Sequence, residues 1–223
     1  MISKPRLTDD MLSHLYDPTY VKNNLEIRLV PEHKLQEYKD NHRCYMKLGN
    51  ADFGVGLAIR INNDWGVTVT EDFLRANATD FETLWQTWLS SDADNISIRT
   101  MNDMLATFFQ PTKDTPEECT PTVPLYVVTY NHNSPGGAAV LHPAVQKKLF
   151  SMPQCQNGFY ILFSSIFESI IVPKTYSHGS VKELQDMLRE INTREDIVAT
   201  QNVATNFVYE CTAPCALERL VFE

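Results

Sequence analysis

The densest group of polar side chains inside an apolar stretch is Ser164, Ser165 and Glu168, set between Phe163 and Ile170. A serine becomes a nucleophile only beside a base, and Glu168 is close enough in sequence to polarise Ser165. The same residues suit a turn between two buried strands, with hydroxyls bonded to nearby backbone. The turn is the favoured reading, and the segment is kept as a candidate functional site.

Other chemistries find less support. No Gly-x-Ser-x-Gly nucleophile turn and no His-Glu-x-x-His zinc helix occurs. Asn133 to Gly137 contains two glycines but lacks the lysine and the following helix of a phosphate loop, and reads as a tight hairpin turn. The six histidines never pair at ligand spacing. His142, just before Pro143, reads as a helix cap, and His132 sits in a polar loop. Of the five cysteines only Cys211 and Cys215 are close. A zinc site would need further ligands such as His42 and Cys44, which nothing requires, so reduced structural thiols are expected. Cys155 has no neighbouring base to lower its pKa. No catalytic residue, metal or cofactor is assigned.

The formal net charge of −9 argues against direct nucleic-acid binding, because no Lys/Arg cluster offers a phosphate contact surface. The charge is uneven. Residues 51–110 hold three basic and nine acidic residues, a balance of −6. Asp64, Glu71, Asp72, Asp80, Glu82, Asp92 and Asp94 form a candidate acidic binding face for a basic protein partner. A solvated face that aids solubility is the plainer alternative. No apolar run approaches the roughly 20 residues of a spanning helix, and the first residues have no apolar leader core. A cytoplasmic protein without membrane association is expected.

The elements that must position these residues emerge from periodicity. Thr8 caps a helix through residue 23, interrupted at Asp17 and Pro18. Leu25, Ile27 and Leu29 alternate with Glu26 and Arg28, the pattern of a half-buried strand. Pro31 then opens a short helix. Residues 53–61 and 65–70 read as a hairpin around Asn62 to Asp64, with Gly54 and Gly56 marking a bulge or a close backbone approach. Thr79 with Glu82 fits a capping box, and Phe81, Leu84, Trp85 and Trp88 come next at helical spacing. Thr100 caps a further helix with Met101, Met104, Leu105 and Phe108 on its buried stripe. Residues 111–124 are proline-rich and read as a linker between two halves, 1–110 and 125–223. Strands are expected at 125–130, 137–141, 159–163, 169–172 and 207–210, and helices from Pro143 and from the Ser180/Glu183 capping box. The strand–strand–helix rhythm repeats, which gives an α+β fold of antiparallel hairpins with helices packed on one side.

Tyr126 to Thr129, Gly136 to Leu141, Tyr160 to Glu168, Ile170 to Pro173, Leu184 to Asn192 and Val208-Tyr209 occur in an order that resembles an uncharacterised family. This is the domain-of-unknown-function family 5688 of gram-positive gut bacteria. The resemblance covers roughly residues 55–210, and its most specific piece is Ser-Ser-Ile-x-Glu, residues 164–168. Members often carry proline where Phe163 stands and histidine where Phe167 stands, so a Ser-His-Glu reading loses its histidine here. The resemblance implies no activity, cofactor or catalytic residue. It does imply a link to mobile genetic elements.

The leading expectation is therefore a non-catalytic protein that binds a protein partner, one version being an antagonist of a bacterial defence complex. The alternatives are an enzyme built around Ser164, Ser165 and Glu168, and a structural module that self-associates through the Trp85/Trp88 helix.

Overall fold

The computed structural model describes residues 8–108, 125–132, 134–176 and 180–220. The chain opens with two short helices. Thr8 Oγ1 accepts from Met11 N and starts α1 (Asp9–His14), and Asp17 caps α2 (Pro18–Asn23), whose proline takes the first helical position. Then come β1 (Leu25–Pro31), α3 (Leu35–Asp40), β2 (Tyr45–Lys47), β3 (Phe53–Arg60), β4 (Gly66–Thr68), α4 (Glu71–Ala76) and α5 (Phe81–Leu89). The strands β1, β2 and β4 all pair antiparallel with β3. After them come β5 (Ile96–Thr100), α6 (Met101–Phe108), β6 (Tyr126–Tyr130), α7 (Pro143–Ser151), β7 (Phe159–Leu162), β8 (Ser169–Pro173), α8 (Val181–Thr193), β9 (Val208–Ala213) and β10 (Ala216–Arg219). The second sheet runs β10-β9-β7-β8-β6-β5 and is antiparallel throughout. This is the α+β class, with no parallel strand pair among the described residues.

Period-2 alternation decides what each sheet face buries. Phe53, Val55, Leu57 and Ile59 of β3, with Leu25, Ile27 and Leu29 of β1, meet Phe159, Ile161, Ile171 and Tyr209 of the second sheet in one core. Phe53, Phe163 and Tyr209 pack ring to ring across it at 5.1–5.4 Å. On the opposite face of the second sheet, Leu162, Val172 and Val208 bury Leu188 of α8. On the outer face of the first sheet a Cβ at Gly54 would lie 2.9 Å from the Tyr45 ring and one at Gly56 3.1 Å from Tyr38. The two glycines are therefore close approaches, without which the tyrosines could not lie on the strand.

Several expectations are corrected. β1 is not half-buried: Glu26, on its supposedly wet face, is fully buried. Asp80, not Thr79, caps α5, its carboxylate accepting from Thr83 N at 2.7 Å. Residues 137–141 form a buried 3₁₀ turn instead of a strand, so strand–strand–helix order holds at β3–β4–α4 and β7–β8–α8. Trp85 and Trp88, the residues of the self-association reading, are buried against each other and the core, 9% and 2% exposed. The short strands β2, β5 and β10 were not anticipated. The linker read at 111–124 lies outside the described residues. β5, which precedes it, is hydrogen-bonded along its length to β6, on its far side. The Leu105 and Phe108 side chains of the α6 stripe also lie outside the described residues.

Candidate functional site

The segment between β7 and β8 is built into the protein, not hung on its surface. Ser164 and Ser165 are each 4% exposed. Gly136 N donates to Phe167 O and Gly137 N to Ile166 O, both at 2.9 Å, while Ile166 N donates to Asn202 O at 2.9 Å. A Cβ at Gly137 would meet Ser165 O at 2.8 Å, so a glycine is needed for this approach. Asn133 lies outside the described residues. The chain from Ser134 to Gly137 does not make the expected hairpin turn: the glycine amides serve instead as anchors for residues 166 and 167.

Ser165 Oγ donates to Glu168 Oε1 at 2.7 Å and accepts from Phe167 N at 3.1 Å. The expected serine–carboxylate pair thus exists, but the hydroxyl is held as a turn tie. Ser164 is tied through its backbone, its carbonyl accepting from Ala204 N at 3.4 Å. Glu168 is partly buried, and desolvation raises its pKa above the ordinary carboxylate value while the Ser165 hydrogen bond pulls the other way.

Glu168 lines a cleft of about 400 Å³. Ser97 and Arg99 of β5 and Thr129 and Asn131 at the end of β6 form one wall. The register pairs Ser97 with Thr129 and Arg99 with Val127, which puts alternate residues on the same face. Met104 of α6 and Phe167 add apolar surface, and His132 and Ser134 complete the lining. Ser165 does not line the cleft.

His132 and Ser134 are fixed by a carboxylate that the sequence pattern did not mark as functional. Buried Glu26 takes His132 Nε2 at 2.5 Å on Oε1 and the Ser134 hydroxyl at 2.7 Å on Oε2. Arg60 Nε lies 3.4 Å and Arg28 3.6 Å from the same carboxylate. The His132 ring stacks on Tyr130 at 5.5 Å, and the Tyr130 hydroxyl accepts from Ile27 N at 2.9 Å. Burial raises the Tyr130 pKa far above that of a free phenol, so the hydroxyl stays protonated. With Nε2 bonded to Glu26 the His132 ring is fixed, and its Nδ1 has no hydrogen-bond partner among the described residues. The usable signal was the Glu26/Arg28 pair: residues two apart on a strand share a face, so opposite charges there can be neutralised and buried together.

His142 is a structural group. It caps α7, its Nδ1 accepting from Ala144 N at 3.2 Å while Nε2 meets Trp88 O at 2.9 Å. The candidate acidic residues are all exposed. Asp64 lies on the β3–β4 turn, Glu71 and Asp72 open α4, Asp80 and Glu82 open α5, and Asp92 and Asp94 lie just after it. Glu71 lies 3.5 Å from His42, and Asp72 pairs with Arg75.

Among the described residues no group of three His, Cys, Asp or Glu side chains is placed to hold a metal ion. Nor is any helix long and apolar enough to cross a membrane. A sequence model described as "Family of unknown function (DUF5688)" matches residues 4–211. The match extends the resemblance read over residues 55–210 back to residue 4. No curated protein and no solved structure matches the chain.

Proposed function

The chain belongs to the family of unknown function DUF5688, and from that premise we propose that it works by binding a protein partner and not by turnover. The observation that supports this reading is the exposure of all seven carboxylates from Asp64 to Asp94 in a segment that carries a charge of −6. Asp92 and Asp94 make no side-chain ion pair among the described residues, so their charge is open to a basic surface. Such a surface steers association and is sensitive to salt. One version is an antagonist that occupies the basic, nucleic-acid-binding face of a bacterial defence complex. Pull-down from host lysate at low and moderate salt is expected to recover a specific partner. Replacing Glu82, Asp92 and Asp94 by lysine, all on the surface, is expected to abolish capture while the protein stays folded, with a small loss of Tm from the lysine in the first turn of α5. Capture that survives the triple reversal counts against the acidic face.

A second reading is favoured by one feature: the Ser165–Glu168 bond sits at a cleft that also holds His132. An enzyme would use Glu168 as a general acid or base, since its raised pKa moves it toward neutral pH. Glu168→Gln would then abolish turnover in a substrate screen while leaving partner capture intact, and the binding reading predicts no turnover to lose.

A further inference from the structure

We infer that the cleft between β5 and residues 167–168 binds a small, elongated organic anion, with Arg99 recognising its charged end. Such a site can exist whether or not the cleft is catalytic, and it does not depend on the acidic face. The three basic residues in 51–110 have different fates. Arg60 faces the Glu26 carboxylate and Arg75 pairs with Asp72. Arg99 is exposed, lines the cleft, and has no ion pair or hydrogen bond with any described residue. A guanidinium is a planar fork that suits a carboxylate or a phosphate in two-point contact.

The rest of the lining gives the ligand a shape. From the Arg99–Val127 level to Asn131 the strand covers four residues, roughly 13 Å at strand rise. Beyond Asn131 stands His132, whose ring is held in place by buried Glu26 and leaves Nδ1 for a ligand, so the far end of the ligand carries a hydroxyl or amine, which can either donate or accept. Between the ends, Met104 and Phe167 supply apolar contact, with Phe167 40% exposed. Ser97 and Thr129 supply hydroxyls along the wall. A cavity of about 400 Å³ is within the range of small-molecule sites.

Three probes test this on the full-length protein by calorimetry and by NMR of the Arg99 and His132 side chains: hydroxyphenylpropionate, aminophenyl phosphate, and the neutral hydroxyphenylpropionamide. Saturable binding of either anion, with shifts at both side chains, supports the site, and the tighter of the two identifies the headgroup. Arg99→Gln, an exposed change that leaves the core intact, is expected to weaken binding roughly tenfold or more. Arg99→Lys is expected to fall between. No binding of either anion overturns the inference. So does an amide that binds as tightly, or an Arg99→Gln protein that binds as the parent does.

Discussion

Glu168 is the clearest case of a side chain held against its own preference. Burial raises its pKa, so above the unfolded value near 4.5 the native state holds more protons than the unfolded chain. Stability therefore falls as pH rises through the window from that value to the folded one, and the ionised carboxylate remains a standing cost at neutral pH. Gln keeps an oxygen for the Ser165 hydroxyl without the charge. Glu168→Gln is predicted to raise Tm at neutral pH and to leave it nearly unchanged below pH 4.5, as read by thermal melts across pH. A carboxylate that costs stability at a cleft is what function, and not packing, tends to keep. The sequence singled out Ser165 and Glu168 as a pair, and they are one. It could not show that the hydroxyl is consumed by the turn, because that depends on where Phe167 N points.

At the level of elements, capping was the best-read feature and alternation the most misleading. The Ser180/Glu183 box is present in full, with Glu183 N on Ser180 Oγ at 3.2 Å and Ser180 N on Glu183 Oε2 at 2.9 Å. Ser180→Ala is predicted to cost about 1 kcal/mol in urea unfolding. In β1, alternation of apolar and charged residues predicted a wet face. Burial of Glu26 arises from His132 and Ser134, more than a hundred residues away in sequence, and no local pattern encodes them. His142 joins α5 to α7. Desolvation lowers its pKa, against the Trp88 hydrogen bond, so below its unfolded value of 6.5 the unfolded chain binds more protons than the native state. Stability is predicted to fall as pH drops through 6.5. In His142→Asn, which retains a capping side chain, that acid slope is predicted to be shallower, as thermal melts from neutral to mildly acidic pH would show.

For the whole molecule, the Glu26 cluster fastens the first sheet to the second. Its carboxylate belongs to β1 and its hydrogen-bond donors lie just past β6, while Arg28 and Arg60 are held beside it. Removing one partner of a buried ionic group leaves the others uncompensated, so Glu26→Ala is predicted to cost about 3–5 kcal/mol in chemical denaturation. Fold class was legible because hairpin signals and antiparallel alternation are local. The shared sheet was not, because β5 is a short strand whose partner, β6, lies beyond the proline-rich stretch.

That sharing of a sheet bears on how the molecule can be divided. β5 is an outer strand that contributes five residue pairs to β6, while Leu57, Ile59 and Trp88 from before the proline-rich stretch and Phe159, Ile161 and Tyr209 from after it fill one core. A backbone cut between 111 and 124 therefore yields two pieces, each with half a hydrophobic interior and neither able to fold alone. Co-expressed, they are predicted to reconstitute by strand addition and copurify as a one-to-one complex. Such a chain is a natural candidate for split-protein complementation.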